Sequence, residues 1–407
     1  METVIVRGGK PLYGTVTADG SKNAVLPLLF ATLLTDGVSV FRGVPKIGDV
    51  EVSLRILSAF GAESEWIAPG VLRIDASNVR EALPNASDVS SLRAATYLIG
   101  ATYARFGRAK LMPYGGCAFC SRPIDLHLLA CRAFGGRLTD DGEIRGVLRP
   151  GYVNFPAVSV GATVNALFMA ALSPGESFIR RPAREPHVMS LVRYLRLAGA
   201  TVSVTSEGML VRGEKLHGAE MTVIPDMIEA GTYLLAGLTT GGKVTVKTDV
   251  SHFSAFFTTL FRMGADLRIG EGEVTAVGGK PLSFGSLKTA PYPGFPTDLH
   301  PPTVPLFAVN AGGDVSETVF PSRFGYLSAL SEFGVRYAGE EPSFRIYPSK
   351  LHPAEVTAPD LRGGVAAVLT ALAAEGESRI HGATLIHRGY AGLTSKLRSL
   401  GADVTEE

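Results

Sequence analysis

The sequence predicts an α/β chain, classed as α+β at the level of its lobes, built from six repeated helix–glycine–strand units with three units in each of two lobes. The first observation behind this is a set of glycine-closed apolar runs, Phe60-Gly61-Ala62, Phe134-Gly135-Gly136, Ala198-Gly199-Ala200, Met263-Gly264-Ala265, Phe333-Gly334-Val335 and Leu400-Gly401-Ala402, whose glycines recur every 64 to 74 residues. A beat that regular points to one supersecondary unit used six times. The second is a matching set, Gly37, Gly107, Gly175, Gly242, Gly313 and Gly376, each closing an Ala/Leu-rich segment and opening a strand-like one. Glycine takes the left-handed conformation that ends a helix, and alternating residues after it suit a half-buried strand. The third is size. A chain of 407 residues, 46% hydrophobic and 19% charged, holds more apolar material than one core normally uses.

Taken in order, Met1-Glu2-Thr3-Val4-Ile5-Val6-Arg7 reads as the first strand. The apolar stretch from Ala24 to Leu34 contains Pro27 and is too short to span a bilayer. Val38-Ser39-Val40 follows as a strand, and residues 51–60 (EVSLRILSAF) and 189–197 (MSLVRYLRL) carry apolar residues at helical spacing. Thr201-Val202-Ser203-Val204, Lys243-Val244-Thr245-Val246 and Asp266-Leu267-Arg268-Ile269 alternate in polarity as strands do, and residues 228–238 form a helix. Val223-Ile224-Pro225-Asp226 is the expected crossing between lobes. The expected division is therefore 22–226 against 1–21 plus 227–407, with the first strand completing an edge of the C-terminal lobe.

A formal charge of +1 leaves no electrostatic footprint for nucleic acid or an anionic membrane surface, so any bound anion requires a local cluster of cations. The N-terminal residues lack the basic start and apolar core of a signal peptide. Cys117, Cys120 and Cys131 are too few and too uneven for a secreted disulfide scaffold. A soluble chain of the reducing cytoplasm is the expectation. Cys117 and Cys120 spell CxxC, but no second pair accompanies them, and neither a metal nor a cofactor is expected.

The segment 113–127, PYGGCAFCSRPIDLH, is the most specific in the chain. Gly115 and Gly116 make a mobile loop, Cys117 supplies a thiol, Arg122 a fixed cation, and Asp125 and His127 polar groups before a helix. This GGC loop with its RPxDLH run resembles the catalytic loop of the enolpyruvyl transferases. The resemblance covers nearly the whole chain, through Asp19-Gly20-Ser21-Lys22-Asn23-Ala24, Ser91-Leu92-Arg93-Ala94, Ser159-Val160-Gly161-Ala162-Thr163, Ala183-Arg184-Glu185-Pro186, Phe295-Pro296-Thr297-Asp298, Ser322-Arg323-Phe324, Asp360-Leu361-Arg362 and His387-Arg388-Gly389-Tyr390.

The resemblance implies a two-lobed inside-out α/β barrel of six βαβαββ-type units. It implies transfer of the enolpyruvyl group of phosphoenolpyruvate to the 3-hydroxyl of UDP-N-acetylglucosamine with release of phosphate, the first committed step of peptidoglycan synthesis. Lys22, Arg122, Arg362 and Arg388 would then hold the phosphate and carboxylate of the donor, as convergent cations must on a nearly neutral protein. Cys117 matches the proton donor and the thiol that fosfomycin alkylates, and Asp298 the base at the sugar hydroxyl. Lys22 and Arg122 close by would lower the thiol's pKa. For the nucleotide sugar, Arg93 matches a phosphate-side contact, and Arg122, Pro123, Ile124, Asp125 and Leu126 the strip beside the uracil. Ser159, Val160 and Gly161 match a helix start that offers backbone N–H groups to the diphosphate, while Asn23 and Val319 face the sugar.

Three positions and one segment depart from the family pattern: Ala157 stands for its diphosphate-holding Lys, His187 for Glu, Met227 for Arg, and Leu385-Ile386-His387 for the start of HxDRGY or HxERGY. They keep two alternatives in view, an enolpyruvyl transferase with another acceptor and a catalytically silent binder of nucleotide sugars. A shikimate-pathway enolpyruvyl transferase would share the fold without needing the GGC loop. Cys120 and Cys131 are read as packing residues and His127 as structural.

Overall fold

A computed structural model describes residues 2–115 and 123–407 of the chain. All six glycines of the first set take positive φ, between 86 and 116°. The helices Gly48–Ala59, Asp125–Ala133, Pro186–Leu197, Ser254–Arg262, Tyr326–Ser331 and Leu393–Ser399 end two or three residues ahead of them. At Gly61 the reason is steric as well as torsional, because a Cβ there would lie 2.8 Å from the Asn78 carbonyl oxygen. In the second set Gly37, Gly107, Gly175 and Gly376 turn as expected, whereas Gly241 and Gly312, one residue ahead of the expected positions, make the other two turns.

The chain divides into two units, one of residues 2–19 with 225–407 and the other of residues 20–115 with 123–224. In the first, three four-stranded sheets pack around mostly apolar helices that are buried on nearly every side. Thr3–Gly8 lies between Gly376–His381 and Asp403–Glu406, antiparallel to both, with Glu355–Thr357 outermost. Tyr13–Thr17, Lys243–Lys247, Glu273–Val277 and Asp266–Gly270 make the second sheet, and Gly285–Lys288, Gly313–Ser316, Ser343–Tyr347 and Arg336–Glu340 the third. The helices Met227–Thr239, His300–Ala308 and Leu361–Ala373 pack on one another, and nearly all their residues are buried. A helix that is apolar all round has no solvent face to offer and must sit in a core.

The second unit holds two four-stranded sheets. One orders Glu220–Thr222, Val38–Arg42, Val71–Asp75 and Glu63–Ala68, the other Thr201–Val204, Gly208–Arg212, Glu176–Arg180 and Tyr152–Asn154. A three-stranded sheet of Arg108–Lys110, Glu143–Arg145 and Arg137–Leu138 completes it among the described residues. The buried helices Lys22–Ala31, Tyr97–Phe106 and Val160–Leu172 fill its core. Every four-stranded sheet in either unit combines one parallel pair with two antiparallel pairs, so the repeat seen in the glycines is also a repeat of strand pairing.

The inside-out barrel expected from the resemblance is not found. The architecture is α/β with several separate mixed sheets, and none of them closes on itself or curls strongly. Each sheet ends in strands that pair on one side only, and apolar helices rather than further strands cover its inner face. Closure needs every strand to have two partners, which these short sheets do not supply. No helix among the described residues is long and apolar enough to cross a membrane.

Candidate active site

In the unit of residues 2–19 and 225–407, the segment Phe295-Pro296-Thr297-Asp298 runs into a single 3₁₀ turn, Thr297–Leu299. Asp298 does not cap the helix that follows. Its carboxylate receives Arg323 Nη1 at 2.8 Å on Oδ1 and Arg362 Nη2 at 3.0 Å on Oδ2. Burial alone would push that carboxyl up, but the charges of Arg362 and Arg323 hold it well below the usual carboxylate range. The side chain keeps 25% of its surface exposed, while Arg362 keeps only 2%.

Arg362 owes its place to a helix start. Asp360 caps Leu361–Ala373, accepting from the backbone N–H of Arg362 at 2.8 Å and of Gly363 at 3.0 Å, which fixes the second helical residue against Asp298. The guanidinium lies 5.1 Å from the centre of the Tyr390 ring. Burial works against its charge, and Tyr390, Asp298 and Asp226 together hold its pKa above the ordinary value. Arg362 Nη1 is buried without a hydrogen-bond partner among the described residues. Arg388 is half-buried at the end of the helix Ala383–His387, with Tyr390 two residues on. His387, one of the departures from the family pattern, points at Glu406, 3.4 Å away. Val319 is half-buried, and its N–H is tied to Glu317 Oε1 at 2.8 Å.

In the other unit, Lys22 is the first residue of Lys22–Ala31, a helix capped by Ser21. Its ammonium meets Asp49 Oδ2 at 2.7 Å, with the two side chains 13% and 5% exposed. Asn23 is next in the same turn, half-buried, and Arg93 opens the 3₁₀ turn Arg93–Thr96. Pro123 and Ile124 lead into Asp125–Ala133, which carries Asp125 and Leu126 in its first turn. Cys117, Cys120 and Arg122, with the rest of 116–122, lie outside the described residues. Cys131 is buried, and burial pushes its thiol up to about 12, which leaves it an inert packing group.

Ser159 caps Val160–Leu172 through Ala162 N–H, so Val160 and Gly161 form the open first turn of a helix. A Cβ on Gly161 would fall 2.9 Å from the His127 ring, so glycine is what lets the imidazole lie under that turn. Burial, with Arg93 adding to it, drops the His127 pKa to about 4. His127 is therefore neutral near pH 7. Its Nδ1 is 2.6 Å from Asn165 Nδ2, and since an amide nitrogen can only donate, Nδ1 accepts and Nε2 carries the hydrogen. Asn165 also donates to the Thr96 carbonyl at 2.9 Å and accepts from Gly100 N–H at 2.9 Å, stapling Val160–Leu172 to Tyr97–Phe106. Ala157 is exposed just ahead of this helix.

Sequence reading left Asp49, Arg323, Glu317, Asp360 and Asn165 without a role. Arg323 and Asp360 stand inside quoted motifs, Ser322-Arg323-Phe324 and Asp360-Leu361-Arg362, so their signal was present. Asp49 lies ahead of the helical spacing read over residues 51–60, and nothing near Glu317 in sequence marks it.

The sequence profile of the EPSP synthase (3-phosphoshikimate 1-carboxyvinyltransferase) family matches residues 6–397. UDP-N-acetylglucosamine 1-carboxyvinyltransferase 3 of Symbiobacterium thermophilum is 37% identical over 417 residues, covering 100% of this chain and 98% of its own. The crystal structure of the enolpyruvyl transferase NikO from Streptomyces tendae superposes with a TM-score of 0.89 at 27% identity, over 100% of this chain and 99% of that one. An EPSP synthase from Acinetobacter baumannii superposes with a TM-score of 0.73 over the full length of both chains, and at 18% identity that likeness speaks to the fold alone. With its profile match and its whole-length relatives, the chain belongs to the EPSP synthase family of enolpyruvyl transferases.

Proposed function

We propose that this protein transfers the enolpyruvyl group of phosphoenolpyruvate to the 3-hydroxyl of UDP-N-acetylglucosamine and releases inorganic phosphate. This would be the first committed step of peptidoglycan synthesis, carried out in the cytoplasm. The observation that carries the reading is the Asp298 carboxylate held between Arg323 and Arg362. It pairs an ionised acceptor for a hydroxyl proton with a buried cation that retains a donor, Nη1, for the carboxylate of the other substrate.

In the reaction, a proton adds to C3 of phosphoenolpyruvate and the sugar oxygen attacks C2. Phosphate then leaves as a C3 proton is removed and the double bond returns. Cys117 is proposed as the proton donor, Asp298 as the group that takes the hydroxyl proton, and Lys22, Arg122, Arg362 and Arg388 as the cations that hold the donor. Two arginines on one carboxylate make Asp298 a weak base as it stands. A substrate carboxylate drawing Arg362 toward itself would relieve that depression, so donor binding would strengthen the base. Asn23, Arg93, Pro123, Ile124, Asp125, Leu126, Ser159, Val160, Gly161 and Val319 are proposed to hold the nucleotide sugar. The neutral His127 and the open turn at Val160 and Gly161 suit a diphosphate, which needs donors there.

A second reading, the same chemistry on another acceptor, is favoured by Ala157 and Met227 in place of cations. Losing one charge-assisted hydrogen bond to a diphosphate costs about 1.5 to 3 kcal/mol. Phosphate release measured with phosphoenolpyruvate and either UDP-N-acetylglucosamine or 3-phosphoshikimate separates these readings. Release with the first alone supports the proposal. Alkylation by fosfomycin should fall on Cys117 and vanish in Cys117→Ser, and labelling at Cys120 or Cys131 would contradict the assignment.

A further inference from the structure

Glu317 is fully buried, and its carboxylate is saturated with donors. Oε1 accepts from Thr289 Oγ1 at 2.7 Å, Val319 N at 2.8 Å and Phe320 N at 2.9 Å. Oε2 accepts from Thr297 Oγ1 at 2.7 Å and faces His300 Nδ1 at 3.2 Å. A carboxylate has about four lone-pair sites, so five donors leave it no freedom to turn. His300 is itself fixed on its far side, with Nε2 2.6 Å from the Tyr326 hydroxyl.

The chain of contacts continues toward Asp298. Thr297 has one hydroxyl proton, and it goes to Glu317, so the oxygen's lone pairs are left for Arg323 Nη1 at 3.0 Å. That same nitrogen donates to Asp298 Oδ1 at 2.8 Å. The acceptor at Glu317 Oε2 therefore sets the direction of the Thr297 hydroxyl, whose oxygen is one of the two acceptors that hold Arg323 Nη1.

We propose that Glu317 is a positioning residue for transfer, one oxygen fixing the turn that bears Val319 and the other fixing, through Thr297 and Arg323, the carboxylate of Asp298. The proposal rests on the reading above, in which Val319 faces the acceptor and Asp298 takes its proton. A rigid carboxylate bridging the two sets the distance between them, and a 1 Å error in such a distance costs about 100-fold in rate. Glutamine at 317 would turn one acceptor into a donor and oppose either the two N–H groups or the Thr297 hydroxyl.

The test compares Glu317→Gln, Thr297→Val and Thr297→Ser in the full chain, reading kcat and KM for UDP-N-acetylglucosamine with phosphoenolpyruvate saturating, and thermal midpoint. Glu317→Gln and Thr297→Val should lower kcat about 100-fold. Thr297→Ser, which keeps the hydroxyl, should stay within about threefold of the parent. Thr297→Val with parental kcat, or Thr297→Ser as impaired as Thr297→Val, overturns the proposal. Amide hydrogen exchange at residues 318–320 needs no substrate and is read in parallel. Glu317→Gln should raise it about tenfold with exchange elsewhere unchanged, and unchanged exchange there overturns the positioning role. An inactive parent whose Glu317→Gln variant still shows the local rise rejects the acceptor reading while supporting the positioning role.

Discussion

Arg362 Nη2 lies 3.0 Å from Asp298 Oδ2, joining residues 64 positions apart in a pair whose arginine is 2% exposed. Breaking a buried pair from one side leaves the other charge unpaired, at a cost of about 3 to 5 kcal/mol. Asp298→Ala should therefore destabilise its unit by about 3 kcal/mol, measured by urea unfolding, and abolish turnover. Asp298→Asn keeps the shape and should retain more of the stability while lowering kcat by at least about 100-fold. An Asp298→Asn enzyme with parental kcat would remove Asp298 from the chemistry.

Lys22 and Asp49 pose the same question in the other unit, 2.7 Å apart and nearly buried. Asp49→Ala should lower that unit's stability by about 3 kcal/mol. It should also raise KM for phosphoenolpyruvate, because the aspartate lies 2.7 Å from the ammonium and helps to hold it in place. Lys22→Arg should raise that KM as well, since a planar guanidinium does not reproduce the geometry of a point charge. Steady-state kinetics with each substrate varied in turn separates the two effects.

Gly161→Ala is expected to act mainly on the acceptor. The added Cβ would lie 2.9 Å from the His127 ring and push it away from the first turn of Val160–Leu172. Alanine gains up to about 1 kcal/mol as the better helix former, but crowding a buried imidazole costs about 1 to 3 kcal/mol, so stability should fall by about 1 kcal/mol. KM for the nucleotide sugar should rise about tenfold, equivalent to about 1.4 kcal/mol, with kcat within about twofold. Unchanged KM would separate this helix start from acceptor binding.

Two buried carboxylates give opposite pH dependences. Glu317 would be raised by burial, but His300, the Phe320 N–H, Thr297 and Thr289 hold it at about 2. Its contribution is present above the unfolded value of about 4.3 and is lost as pH falls toward 2. Glu229 is raised by burial to about 7, with Asp19 adding to the rise and Lys396, 2.7 Å away, opposing it. The folded chain keeps that proton where the unfolded chain releases it, so this contribution is present below about 4.3 and is lost as pH rises to 7. Glu229→Gln should remove up to about 3 kcal/mol of decline between pH 4 and 8, measured by chemical unfolding at several pH values. A parental slope in Glu229→Gln would place the decline elsewhere.

The repeat was legible because glycine leaves a torsional mark. Gly61, Gly135, Gly199, Gly264, Gly334 and Gly401 each had to end a helix, and the positive φ at each shows that they do. Gly242 and Gly313 were one residue late because two adjacent glycines compete for one turn, and local sequence cannot say which takes it. Whether the sheets would close was not legible. Closure depends on pairing between strands far apart in sequence, and alternation in Lys243-Val244-Thr245-Val246 says only that one face is buried. Lys22 and Ser159 were visible at helix starts because the signals that begin a helix are local. The partners of Asp298 were not, since Arg323 and Arg362 reach it across 25 and 64 residues.

The central claim is enolpyruvyl transfer to UDP-N-acetylglucosamine, and phosphate release from a mixture of that sugar, phosphoenolpyruvate and the full chain tests it most directly. The account predicts one phosphate per enolpyruvyl-UDP-N-acetylglucosamine formed, with both lost in Cys117→Ser and in Asp298→Asn. No release by a chain that still unfolds cooperatively, or release that survives both substitutions, would contradict it.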